Sequence, residues 1–184
     1  MNRKNAALLF ATVLLPAFCP APSFAGPDAN VEKYCAMLHS KDDTERETAV
    51  AELAKIGAPA VPDVLAVLDH AEVYLGRMNA ARVLGQIRDT RAIQPLVAAL
   101  ADDYAAVRQE ASRALVAIGG KAAVDEILGA LARGGDNFLE AAAVTLGELG
   151  DRRTLPALEK LSRHQNADVA KAASAAIQKL QPRG

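Results

Sequence analysis

The chain has no tryptophan, and aromatic residues make up only 4% of its 184 positions. So few aromatics speak against a β-sandwich core, which leans on aromatic and β-branched side chains. Charge of one sign is also missing. Lys and Arg number 21 against 22 Asp and Glu, a net of −1, which excludes a strongly basic nucleic-acid binder and an acidic tail protein. Cysteine is scarce, with two in all. No apolar run reaches the ~20 residues that a membrane-spanning helix needs. The longest, residues 6–15, is interrupted only by Thr12. Alanine, in contrast, is abundant at about a fifth of the chain, roughly twice or more its ordinary share. Rich in alanine and poor in aromatics, the sequence is expected to form close-packed helices, in one domain.

The N-terminus reads as an address. Arg3 and Lys4 precede the apolar run, Pro16 comes after it, and Ser23 and Ala25 place small residues before Gly26. This layout predicts a secretory signal over residues 1–25. An uncleaved anchor is one alternative. Lipidation at Cys19 is another, although Phe18 stands where a small residue is wanted. Cleavage would remove two positive charges and Cys19, leaving a net charge of −3 and Cys35 alone. A lone cysteine allows no internal disulfide, so stability must come from packing.

Stepping by 31 residues exposes a repeat. Ala49, Ala80, Ala111, Ala142 and Ala173 fall in one column. Leu53, Leu84, Leu115, Leu146 and Ile177 form a second, and Ile56, Ile87, Ile118, Leu149 and Leu180 a third. Offsets of four and three place these side chains on one helical face. Gly57, Gly119 and Gly150, with Arg88 in the same column, sit where a helix ends in a left-handed turn. Asp89 and Asp151 can cap the next helix, and Pro59 is placed to start one. A second helix repeats as Ile93, Val124, Leu155 and as Leu96, Ile127, Leu158. In the first unit Val61, Val64, Leu65 and Leu68 match one residue early. A capping box is expected at residues 44–47, Thr44 through Glu47. Val31, Cys35 and Leu38 predict an N-terminal capping helix over residues 28–40. The expected organisation is a signal over 1–25, a capping helix and linker over 26–43, and a solenoid over 44–184 with four helix pairs and a terminal half repeat. One pair cannot bury its apolar face alone, whereas a stack can.

The strings at residues 83–96 (VLGQIRDTRAIQPL) and 146–158 (LGELGDRRTLPAL) carry a resemblance. They are similar to the HEAT-like repeats of phycobilin lyases, over about residues 40–184. The resemblance implies an all-α, short right-handed α-solenoid whose second helices line the concave side. It says little about activity, because a fold hosts many functions.

The outward columns of the second helices are then the expected binding surface. They are Pro62, Gln94, Asp125 and Pro156; Ala66, Ala98, Gly129 and Lys160; and Asp69, Ala101, Ala132 and Arg163. Gln94, Ala98, Ala101, Asp125, Gly129, Ala132, Lys160 and Arg163 are the candidate partner-binding residues. The middle column is small in three of four units, which suits a helix or an extended segment; helix propensity alone would also account for its alanines.

No catalytic constellation is visible. The HEAT-like deoxyhypusine hydroxylases bind iron through His-Glu pairs, but His39, His70 and His164 are followed by Ser40, Ala71 and Gln165. No metal and no cofactor is therefore expected. Cys35 and His39 are one helical turn apart, and three readings stand: a buried thiol, a Cys35-linked dimer, or a nucleophile with its base. Residues 26–149 carry a net charge of −7 and residues 150–184 a net of +4. The basic end comprises Arg152, Arg153, Lys160, Arg163, Lys171, Lys179 and Arg183, without the interleaved aromatics that nucleic-acid binding calls for. Arg46, Arg77 and Arg108 form a further 31-spaced column, expected to be a ladder of hydrogen bonds and ion pairs between turns. The expected function is that of an exported, non-catalytic protein-binding scaffold in a bacterial periplasm, without nucleic acid or stable membrane insertion. The alternative is a HEAT-like enzyme of the lyase type.

Overall fold

The computed structural model describes residues 29–181, and every regular element among them is helical. The signal assigned to residues 1–25 lies outside the described residues, as does Arg183. The helices are α1 (Ala29–Met37), α2 (Asp43–Ile56), α3 (Val61–His70), α4 (Tyr74–Ile87) and α5 (Ile93–Ala99), then α6 (Ala105–Ile118), α7 (Gly120–Ala130), α8 (Asp136–Leu149), α9 (Leu155–Leu161) and α10 (Ala167–Leu180).

They stack in two layers. Helices α2, α4, α6, α8 and α10 pack side by side in one, and α1, α3, α5 and α7 follow one another in the second. Substantial contacts join only the same or adjacent repeats, as in a solenoid. Each second helix packs more closely on the first helix that follows it than on the one before: α1 on α2, α3 on α4, α5 on α6, α7 on α8, α9 on α10. Framed by packing, the described helices form five hairpins, and the capping helix α1 is the first half of one.

The periodic columns are the core. Ala49, Ala80, Ala111, Ala142 and Ala173 are fully buried, as are Leu53, Leu84, Leu115 and Leu146. Burying a leucine is worth roughly 1.5–3 kcal/mol. The turns follow the sequence with one exception. Gly57, Gly119 and Gly150 have positive φ, and Arg88 in their column also does, at 59°. Asp89 and Asp151 each accept the amide of the residue two positions on, at 2.9 Å, and open a 3-10 turn. Gly120 occupies that column in the third unit and has no side chain to cap with. There α7 starts at once, and a 3-10 turn, Leu131–Arg133, comes after it instead. The expected capping box is corrected: Asp42 is the N-cap of α2, its Oδ1 accepting the amides of Thr44 (2.7 Å) and Glu45 (3.4 Å). Asp42 lies in the extended region that an N-cap requires, and Thr44 is already inside the helix.

The first helices are unevenly spaced. A Cβ added at Gly85 would lie 2.8 Å from the Ala114 Cα, and one at Gly147 2.8 Å from the Ala176 Cα. Glycine lets α4 meet α6, and α8 meet α10, nearly backbone to backbone. Between α6 and α8 the same two columns hold Val116 and Thr145, and these helices stand further apart.

Candidate functional site

All eight candidate partner-binding residues, Gln94, Ala98, Ala101, Asp125, Gly129, Ala132, Lys160 and Arg163, are exposed on the second-helix side. Pro62, Ala66, Asp69 and Pro156 are exposed too. The structure gathers only some of them. Helices α7 and α9 do not pack closely, and a groove of about 1060 Å³ lies between them. Leu128, Leu131 and Leu161 line it, with Ala132, Lys160 and Arg163. Gln94, Ala98, Ala101, Asp125 and Gly129 lie outside its lining. Among the described residues the Lys160 and Arg163 side chains make no ion pair or hydrogen bond, so two cations stand beside an apolar floor. Asp125 is less available than its exposure suggests, because Arg153 from the next repeat pairs with it at 3.0 Å.

The arginine column works as a set of loop ties. Arg46 donates to the Ser40 carbonyl at 2.6 Å, Arg77 to that of Ala71 at 2.7 Å, and Arg108 to that of Asp102 at 2.9 Å. Each reaches back six residues and satisfies a carbonyl near the end of the preceding second helix. Arg77 also spans two turns, gripping Asp102 with Nε at 2.6 Å and its terminal nitrogen at 3.1 Å. Burial opposes ionisation of Asp102, but the Arg77 guanidinium and the Tyr104 amide outweigh it and hold the carboxyl below the usual range. The ring of Tyr104 lies over Tyr74, with centroids 4.6 Å apart. Other rungs join neighbouring repeats: Arg82 to Glu47 in bidentate form, Lys179 to Glu148, and Asn166 to Asp136.

Cys35 is buried on α1 with Val31, and Leu38 is buried just past the end of that helix. Burial, aided by the negative charge of Asp63, pushes its thiol up to about 11. A thiol so protonated is a poor nucleophile, and no hydrogen bond joins it to His39. Linking two chains through Cys35 would require α1 to lift from the stack. His39 instead covers Gly76, where an added Cβ would fall 2.2 Å from the imidazole Nδ1. His164 Nδ1 accepts the Asn166 amide, and exposed His70 lies 3.4 Å from Asp69. Among the described residues no group of three or more His, Cys, Asp or Glu is placed to hold a metal. No helix among them is long and apolar enough to cross a membrane.

A second groove, of about 580 Å³, runs between α6 and α8 on the first-helix side. The outward second-helix columns do not point to it. The one sequence signal for it is Val116, standing in the column of Gly85 and Gly147.

The family profile for HEAT repeats matches residues 31–115 and again residues 98–178. The chain belongs to the HEAT repeat family. Among solved structures, the complex of CpcE and CpcF of phycocyanin lyase from Nostoc sp. PCC7120 is similar at 24% identity, with a TM-score of 0.59, covering 81% of this chain and 98% of that one. An engineered protein is similar at 21% identity and a TM-score of 0.45, covering 82% and 81%. A designed armadillo repeat protein in complex with the peptide (KR)4 is similar at 17% identity and a TM-score of 0.35, covering 82% and 99%. No curated protein matches this chain. This HEAT repeat chain thus offers a groove on each of its two layers, and a fold suited to holding a protein partner.

Proposed function

We propose that this HEAT repeat protein is an exported, non-catalytic scaffold of a bacterial periplasm that holds a partner protein along its second helices, the concave side of a right-handed solenoid. The observation that carries the reading is the groove between α7 and α9, where unpaired Lys160 and Arg163 flank leucines. An apolar floor with a few fixed charges suits a segment of another protein. The high pKa of the Cys35 thiol and the absence of a hydrogen bond to His39 fit a scaffold without a nucleophile.

The test is a photo-crosslinking residue placed in turn at Ala98, Gly129 and Lys160, with Ala175 on α10 as the first-helix control. A shared protein adduct at the second-helix positions, lost on Arg163→Glu, is expected. Equal adducts at Ala175 would overturn the placement. Export is tested by mass: protein recovered from the periplasm should begin at Gly26, and intact Met1 in the cytoplasm would refute it.

The likeness to the phycocyanin lyase complex favours a second reading, an enzyme of the lyase type. It requires a bound tetrapyrrole, for which so aromatic-poor a chain has little to stack. A shifted bilin absorbance band on mixing with the protein would support it.

A further inference from the structure

We propose that the groove between α6 and α8, on the layer opposite the second helices, receives an amphipathic helix from a partner protein. Its two walls differ in charge: Arg108 and Arg113 on α6, Glu140 and Glu148 on α8, with Val116 and Val144 between them. Val144 is 42% exposed, unusual for a side chain of its kind in this fold. The opening has a cause in the sequence. Gly85 faces Ala114 and Gly147 faces Ala176 across closed interfaces, whereas the same columns hold Val116 and Thr145 between α6 and α8, which stand further apart. Thr145 is itself committed inward, 2.8 Å from Ser112 Oγ and donating to the Ala141 carbonyl at 2.7 Å.

Charge complementarity names the occupant. Arg113 is paired with Glu110, and Glu148 with Lys179. Among the described residues Arg108 donates only to backbone carbonyls, and Glu140 makes no ion pair. A cation and an anion that each lack an ion pair among the described residues thus line opposite walls of one apolar trough. The walls are 14-residue helices, about 21 Å long at 1.5 Å per residue, enough for three to four turns of a guest. A helix with apolar residues at i, i+3 or i+4, and i+7 seats that stripe on the valines. An acidic flank then meets Arg108 and a basic flank meets Glu140. An apolar small molecule would use the valines and leave both charges unmet.

The experiment uses the full chain and three synthetic 14-residue helical peptides that share one leucine stripe. One carries Glu on one flank and Lys on the other; the second carries Glu on both, the third Lys on both. Fluorescence anisotropy is expected to show the mixed peptide binding about tenfold more tightly than either single-charge peptide, a difference of about 1.4 kcal/mol. Glu140→Lys should transfer the preference to the all-Glu peptide. Val144→Glu, on an exposed side chain, should abolish binding with the helical circular dichroism unchanged. Ala98→Glu, on the second-helix side, should leave binding intact, which separates this site from the partner surface proposed above. Equal affinity for the three peptides would overturn the proposal, as would binding that survives Val144→Glu. So would Val144-dependent uptake of an apolar dye without peptide binding, or a dimer of this chain that Val144→Glu dissolves.

Discussion

Replacing Gly85 by alanine tests whether close approach governs the packing of the first helices. In a free helix the change is favourable by about 1 kcal/mol. Here the new Cβ would lie 2.8 Å from the Ala114 Cα and 2.9 Å from its Cβ. The first of these is backbone and cannot turn aside. Reaching ordinary contact, roughly 3.5–4.0 Å, moves α4 and α6 apart by about 1 Å along the whole interface. Overpacking of this kind costs about 1–3 kcal/mol, so the net expectation is a loss of up to about 2 kcal/mol. Gly129 supplies the control. It lies in α7 with nothing within 4 Å of its added Cβ, so Gly129→Ala should gain about 0.5–1 kcal/mol. In urea, with a slope of about 2 kcal/mol/M, the Gly85→Ala midpoint should fall by up to about 1 M and the Gly129→Ala midpoint should rise. Gly147→Ala repeats the first case against Ala176, in a separate interface, and the two losses should add. A Gly85→Ala protein more stable than the parent would refute the argument, because propensity would then have outweighed contact.

Arg88→Gly should stabilise the fold by about 0.5–1 kcal/mol, since it relieves a left-handed residue in a column otherwise filled by glycine; thermal unfolding reads this directly. Asp102→Ala removes the bidentate partner of Arg77, a partly buried pair, and should cost about 1–3 kcal/mol. It should also weaken the near-ultraviolet tyrosine dichroism, because the Asp102–Arg77 pair abuts the Tyr74–Tyr104 stack and the chain has only three tyrosines and no tryptophan. Asp102 and Asp89 both have lowered pKa values, Asp89 to about 2 through its hydrogen bonds with Arg91. The stability they lend is present above the ordinary carboxylate range and is lost as the pH falls through it towards 2, so acid titration of Asp102→Asn should be flatter than that of the parent. Cys35 has the opposite sign. Its contribution is intact below pH 9 and is lost as the pH rises towards 11, and iodoacetamide at pH 8 should modify it far more slowly than in denaturant.

Much of this protein is written in spacing. The 31-residue columns, the helical hairpins, the positive φ at Gly57, Arg88, Gly119 and Gly150 (left-handed helical at Arg88 and Gly150 alone), and the burial of Val31, Cys35 and Leu38 at a capping helix all come from local rules. Each needs only 3.6-residue periodicity, a glycine or a cap. The outward second-helix columns were legible for the same reason. The features that local rules miss depend on pairs of residues from different repeats. The Asp125–Arg153 pair takes up a carboxylate that its own helix leaves exposed. Arg77 finds Asp102 only because two loops end side by side. The frame in which a second helix packs on its successor is a matter of docking, to which the periodic columns are blind.

By itself the sequence determined that the chain folds as a stack of helical pairs, because apolar periodicity and turn chemistry act within a few residues of each other. The tertiary structure decided where that stack is closed and where it is open. Where the facing columns hold glycine and alanine the helices close nearly backbone to backbone, and where they hold valine and threonine they stand further apart; neither member of such a pair carries that distance alone.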